Sequence, residues 1–313
     1  MNAKRLMAGG ALPVLFAALL FVCGCGPAPA PARHGASGDG PFEVFVSIPP
    51  LAALAGALGG DQVHVTTLLA PGEGPHTFST TPKQVMALGG ASAYFHVGGF
   101  PFELELAKRI EANFPSLVIQ DLADGLARIA DTSHEHGEDA AGHAHADDMD
   151  PHVWMSPVML KAMAATIAET FLRLDPAHAD DYAQNLAATQ GELDALDHHL
   201  REQLAPFTGR TFYIYHPALG YFAETYGLRQ KSVEMDGKKP TPRQLQELIE
   251  QAQADGVHTI FVQPQFDQRS AQSVADAIQG TVVALDPLRE EVLDNLRAIG
   301  DALAHALRAE PAP

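Results

Sequence analysis

Cysteine is nearly absent: of 313 residues only Cys23 and Cys25 carry a thiol, both within the first 25 positions. The folded part therefore holds no disulfide and no thiolate ligand, and any transition metal there must be bound by nitrogen and oxygen. Basic residues are also scarce, 20 Lys and Arg against 38 Asp and Glu, for a formal net charge of −18. A surface so acidic repels phosphate backbones, which excludes nucleic acid as a partner. No phosphate-binding loop is present, since Gly237-Lys238-Lys239 lacks both the upstream glycine and the following Ser or Thr. No His-Glu-x-x-His block marks a zinc hydrolase either. What remains is an ordinary globular composition, 46% hydrophobic with 27 Gly and 23 Pro, in a chain long enough for two lobes.

The N-terminus reads as an address. Lys4 and Arg5 precede an apolar stretch of 12 residues, 11–22, too short to span a bilayer and typical of an export signal. Val22-Cys23-Gly24-Cys25 follows, and the small residue before Cys25 resembles the lipobox of bacterial lipoproteins. Residues 1–24 are then a lipoprotein signal peptide, Cys25 the lipid anchor and 25–40 a flexible tether rich in Pro, Ala and Gly. The competing cleavage, after Ala30-Pro31-Ala32, lies far from the apolar run. Either way the mature protein works outside the cytoplasm.

From Phe42 onward, short apolar runs alternate with longer helical patterns, as in parallel sheets with crossover helices. Strands are expected at 42–48, 63–69, 92–97 and 117–120, with helices at 50–58, 81–88 and 102–113. A second series has strands at 211–215, 229–234, 258–262 and 281–284, with helices at 217–226, 241–254, 268–279 and 288–307. Residues 157–205 show no strand pattern, and Pro176 splits them. The expected fold is thus α/β: two open parallel-sheet αβ lobes, 41–175 and 206–308, joined by a rigid connecting helix, 176–205, before a tail at 309–313. One interruption, 131–150, holds His134, His136, His143 and His145 among seven acidic residues and no basic one. It reads as a solvated loop without a core and, compatibly, as an accessory site of metal capture, because imidazoles beside carboxylates suit divalent transition metals.

Three other histidines sit in turn or strand-end contexts: His76 in Pro71-Gly72-Glu73-Gly74-Pro75-His76, His152 in Asp150-Pro151-His152-Val153-Trp154, and His216 directly after the strand at 211–215. Asp286 occupies the corresponding place after the last strand, just before Pro287. Ligands of open αβ folds gather at such carboxyl ends. The blocks Gly74-Pro75-His76, Asp150-Pro151-His152-Val153-Trp154-Met155-Ser156-Pro157, His216-Pro217-Ala218-Leu219-Gly220-Tyr221-Phe222 and Leu285-Asp286-Pro287-Leu288 resemble the zinc- and manganese-type solute-binding proteins of ABC transporters (cluster A-I), over residues 42 to 308. The resemblance implies a metal in the interlobe cleft, held by His76, His152, His216 and Asp286. Histidine at the third of these positions implies the zinc-uptake branch, and three imidazoles with one carboxylate suit tetrahedral Zn²⁺. Pro217 departs from the aspartate many members carry, which leaves open what supports His216, and Glu73 competes with Asp286 for the fourth position.

The implied function is extracytoplasmic zinc capture and delivery to a membrane permease driven by a separate ATPase, by a non-catalytic monomer held to the membrane by lipid. The alternatives are a manganese-binding protein, a metallochaperone or adhesion lipoprotein without a transport role, and a secreted zinc hydrolase. Glu103 is expected either to anchor a helix start or to orient a ligand, and His96 to be structural.

Overall fold

The structure is a computed structural model that describes residues 40–130, 149–234, 240–266 and 268–309. Cys25 and the four histidines at 134, 136, 143 and 145 lie outside the described residues.

The first sheet is built from β1 (Phe42–Val46), β2 (Val63–Thr67), β3 (Ala93–His96) and β4 (Val118–Asp121), all parallel, in the order β2-β1-β3-β4. Its central strand β3, Ala-Tyr-Phe-His, is buried at every position, as expected of a strand covered on both faces. The edge strand β2 is only half-buried and exposes His64, which faces Glu43 across the strand pair. The crossovers are α1 (Pro49–Gly59), α2 (Pro82–Leu88) and α3 (Pro101–Asn113). Each starts with proline in its first turn, where the missing N–H costs nothing and the fixed φ is already helical. The Glu103 carboxylate, fully buried, accepts from the amides of Val97, Gly99 and Phe100, so it anchors the start of α3.

Next come α4 (Pro157–Leu174) and, past the turn at Pro176–His178, α5 (Ala179–Leu204). The 26 residues of α5 extend about 39 Å at 1.5 Å per residue. Its buried positions Tyr182, Thr189, Leu193, Leu196, Leu200 and Leu204 recur mostly at spacings of three and four, which puts them on one stripe.

The second sheet repeats the first: β5 (Thr211–Ile214), β6 (Arg229–Ser232), β7 (Thr259–Val262) and β8 (Thr281–Ala284), all parallel, in the order β6-β5-β7-β8. Its helices are α6 (Gly220–Tyr226), α7 (Pro242–Ala254) and α8 (Gln268–Ala277). The chain ends in α9 (Val292–Ala309), which packs on α5 and α1. Two helices start later than the sequence pattern suggests, α6 at Gly220 instead of 217 and α9 at Val292 instead of 288. In both cases a turn follows the strand first: the Ala218 amide closes on His216 O, and the Leu288 amide on the Asp286 carboxylate. One apolar cluster runs through both sheets and through α1, α4, α5 and α9, so the two lobes share a core.

Candidate metal centre

Asp-Pro-His is a small machine for aiming an imidazole. Pro151 has no amide to donate, and the Asp150 carboxylate Oδ1 accepts from both the His152 amide at 2.8 Å and its ring Nδ1 at 2.7 Å. Both side chains are buried, and the ring packs against Trp154 and Phe100. The Nδ1 proton is committed to the carboxylate, which leaves the Nε2 lone pair pointing away from it.

His216 follows β5 and is fixed from two sides. The Gln263 side-chain amide, at the end of the neighbouring β7, pairs with its backbone: His216 N donates to Oε1 at 3.2 Å, and Nε2 donates to His216 O at 2.6 Å. The ring stacks on Phe266 with centroids 5.0 Å apart, and its Nδ1 hydrogen-bonds Glu234, a carboxylate only 2% exposed. Glu234 therefore fills the supporting role that Pro217 left open in the sequence. It stands just past β6, the strand beside β5, and an acidic residue at that strand end was the signal available.

His76 is held more loosely. It sits in the loop after β2, where Gly72 adopts φ +86° and the Thr77 amide bonds Gly74 O at 3.3 Å. Its ring packs edge-on against Phe100, and among the described residues no carboxylate supports its Nδ1.

These three rings converge. His76 Nε2 lies 3.1 Å from His216 Nε2, which lies 3.3 Å from His152 Nε2, and all three ligand atoms fall within 4.8 Å of one another. A tetrahedral zinc with Zn–N bonds of about 2.05 Å has N···N edges of about 3.3 Å, which the two edges at His216 match, while the edge between His76 and His152 stays within 4.8 Å. Burial, with the nearby His152, holds the His216 imidazole below its ordinary value against the opposing pull of Glu234. Desolvation, then His216 and His152, holds His76 far below its own. Both favour the neutral rings that bind metal. The enclosing cavity, about 30 Å³, has room for one ion or water and none for an organic solute.

Asp286 is not part of this group. Its Oδ1 accepts from Gln265 Nε2 at 2.9 Å and from the Leu288 amide at 3.0 Å. Together with Glu73 it lines a second cavity of about 260 Å³, separated from the first by the shared walls Gln265 and Leu288. Glu73 accepts from the Ala70 amide at 3.0 Å and is likewise outside the group. His96 is structural, its Nδ1 accepting from the Gly98 amide beneath a stacked Tyr94. The aromatic residues Trp154 and Tyr221 tie the walls together: Trp154 Nε1 donates to Pro287 O at 2.8 Å, and Tyr221 Oη to Asp150 O at 3.0 Å.

Residues 44–306 match the family model of the periplasmic zinc-uptake complex component A, ZnuA. The chain is 30% identical to the high-affinity zinc uptake system protein ZnuA of Paracoccus denitrificans, over 93% of this chain and 98% of that one. It is 28% identical to the protein of the same name from Brucella abortus, over 90% and 92%. Among solved structures, a ZnuA crystal structure superposes with a TM-score of 0.77 at 32% identity, covering 85% of this chain and 99% of that one. A zinc-bound deletion variant of ZnuA also gives 0.77 at 32% identity, over 87% and 100%.

Proposed function

The chain belongs to the family of periplasmic zinc-uptake components A, and from that premise we propose that it captures Zn²⁺ outside the cytoplasm through His76, His152 and His216. It is a zinc-binding protein of ABC transport. The observation that carries the residue assignment is the convergence of three imidazole nitrogens within 4.8 Å, with His216 Nε2 3.1 and 3.3 Å from the other two, and with the His152 and His216 Nδ1 protons committed to buried carboxylates. Lone pairs so placed repel one another until a cation sits among them. Neutral nitrogen donors at this spacing suit Zn²⁺ over Mn²⁺, which prefers oxygen and higher coordination.

The role is delivery and not catalysis. The buried carboxylates at the site, Asp150 and Glu234, are engaged by ring nitrogens and are not placed as a general base. Zinc passes to a membrane permease powered by a separate ATPase, the protein acting as a monomer anchored through lipid on Cys25 after loss of residues 1–24. Its net charge of −18 draws cations toward the surface. His134, His136, His143 and His145 collect zinc from solution ahead of the tight site. No described helix is long and apolar enough to cross a membrane, and the permease is a different chain.

A competition titration of residues 26–313 with zinc and manganese tests this. One zinc per chain should bind tightly and resist excess manganese, and His216→Ala should abolish that site. Tight manganese, or zinc binding indifferent to the substitution, would refute the assignment.

A further inference from the structure

The run Val262-Gln263-Pro264-Gln265-Phe266, leaving the end of β7, reaches the centre three times over. Gln263 clasps the His216 backbone, and Phe266 stacks on the His216 ring. Gln265, between them, donates to Asp286 Oδ1 at 2.9 Å. Its side chain walls both the histidine cavity and the adjoining one that holds Asp286. The carboxylate is thus one side chain away from the three Nε2 atoms, with Oδ2 unpartnered among the described residues.

We propose that Gln265 is a latch: its amide holds Asp286 back from the three histidines, and Asp286 becomes the fourth zinc ligand only when that hydrogen bond gives way. This rests on the three-histidine reading above. The chemistry demands an anion, because three neutral imidazoles leave both charges of Zn²⁺ uncompensated in a cavity walled largely by apolar side chains, and Asp150 and Glu234 are committed to Nδ1 atoms. Asp286 is the carboxylate held in reserve. Gln265 is a positioning residue that sets the cost of recruiting it, hence both affinity and the rate of zinc release. The Leu288 amide keeps the same oxygen in its turn and can hold it while the other oxygen turns to the metal.

The test compares Gln265→Met, which keeps the length and loses the donor, with Asp286→Asn, Glu73→Gln and the double variant Gln265→Met/Asp286→Asn. Zinc affinity and dissociation rate are measured by chelator competition, and the visible spectrum of the Co²⁺-loaded protein reports coordination number. Removing a hydrogen bond to a charged group that competes with the metal should tighten zinc by about tenfold and slow its release correspondingly. Asp286→Asn should weaken zinc and lower the intensity of the four-coordinate Co²⁺ bands, the double variant should match Asp286→Asn alone, and Glu73→Gln should leave both readouts unchanged. The apo melting temperatures of Gln265→Met and of the parent, compared alongside, separate a latch from a general loss of packing.

Wild-type affinity and release in Gln265→Met would overturn the latch, as would a gain that survives in the Asp286→Asn background or a Co²⁺ spectrum that responds to Glu73→Gln and not to Asp286→Asn. His216→Ala distinguishes a failed latch from a failed metal centre. If it abolishes tight binding while Gln265→Met behaves as wild type, only the latch is wrong. If it leaves tight binding intact, the three-histidine centre fails and the latch fails with it.

Discussion

Two carboxylate–imidazole pairs, Asp150–His152 and Glu234–His216, decide which nitrogen of each ring meets the metal. A carboxylate at Nδ1 fixes the tautomer and raises the basicity of Nε2, and losing such a partner typically costs 10- to 100-fold in metal affinity. Glu234→Gln and Asp150→Asn should each lower zinc affinity by about that factor in a chelator competition; affinities within twofold of the parent would show that the pairs do not orient the ligands. The depressed imidazoles also make the apo protein sensitive to acid. His216 is held below the 6.5 of a free imidazole in the folded state, so below that pH the unfolded chain takes up a proton that the folded site refuses. Its contribution to stability is intact above 6.5 and is lost progressively as pH falls toward the folded value. The apo melting temperature should drop between pH 7 and 5, and less so in His216→Phe, whose ring cannot titrate. His76, His152 and His216 stand out in the sequence through turn and strand-end settings together with the blocks that resemble the solute-binding family, and the structure brings the three together. Glu234 and Gln263 do not stand out, because they lie 18 and 47 residues from His216 and become its neighbours only when β6 and β7 pair on either side of β5.

Strands and helices were the most legible level, since buried parallel strands are continuous apolar runs and every crossover is punctuated. The same box, Thr-Pro-x-Gln, opens α2 at Thr81 and α7 at Thr241, each Thr side chain capping the Gln amide and each Gln returning to the Thr amide. Helix starts after ligand-bearing strands were less legible: at His216 and Asp286 the chain uses its first residues for turns that aim or hold side chains. The start of α6 shows how tightly an element can be tied to the site. A Cβ on Gly220 would overlap the Asp150 carboxylate and Ile129. Gly220→Ala should therefore displace Asp150, costing about 1–3 kcal/mol of stability in denaturant unfolding and weakening zinc through His152. A variant as stable and as zinc-competent as the parent would mean that α6 can retreat at no cost.

Two lobes of identical strand order, β2-β1-β3-β4 and β6-β5-β7-β8, make a cleft with the histidines at the carboxyl ends of strands and in the loops between them. Both lobes and the long helix were readable from the alternation of patterns. The seating of α9 on α5 and α1 was not, because an amphipathic stripe shows that a helix packs without showing against what. That seating, the shared apolar cluster, and the Trp154–Pro287 and Tyr221–Asp150 hydrogen bonds brace the lobes against a wide swing. Solution scattering of residues 26–313 should show a radius of gyration that changes by less than about 1 Å on adding zinc, against roughly 20 Å for a compact chain of this length; a larger contraction would mean that the shared core opens without metal. If one zinc sits among the three histidines, X-ray absorption at the zinc edge of the singly loaded protein should show a four-coordinate shell with three imidazole nitrogens at about 2.0–2.1 Å and one oxygen; a shell dominated by oxygen, or one with fewer than three imidazoles, would place the metal elsewhere.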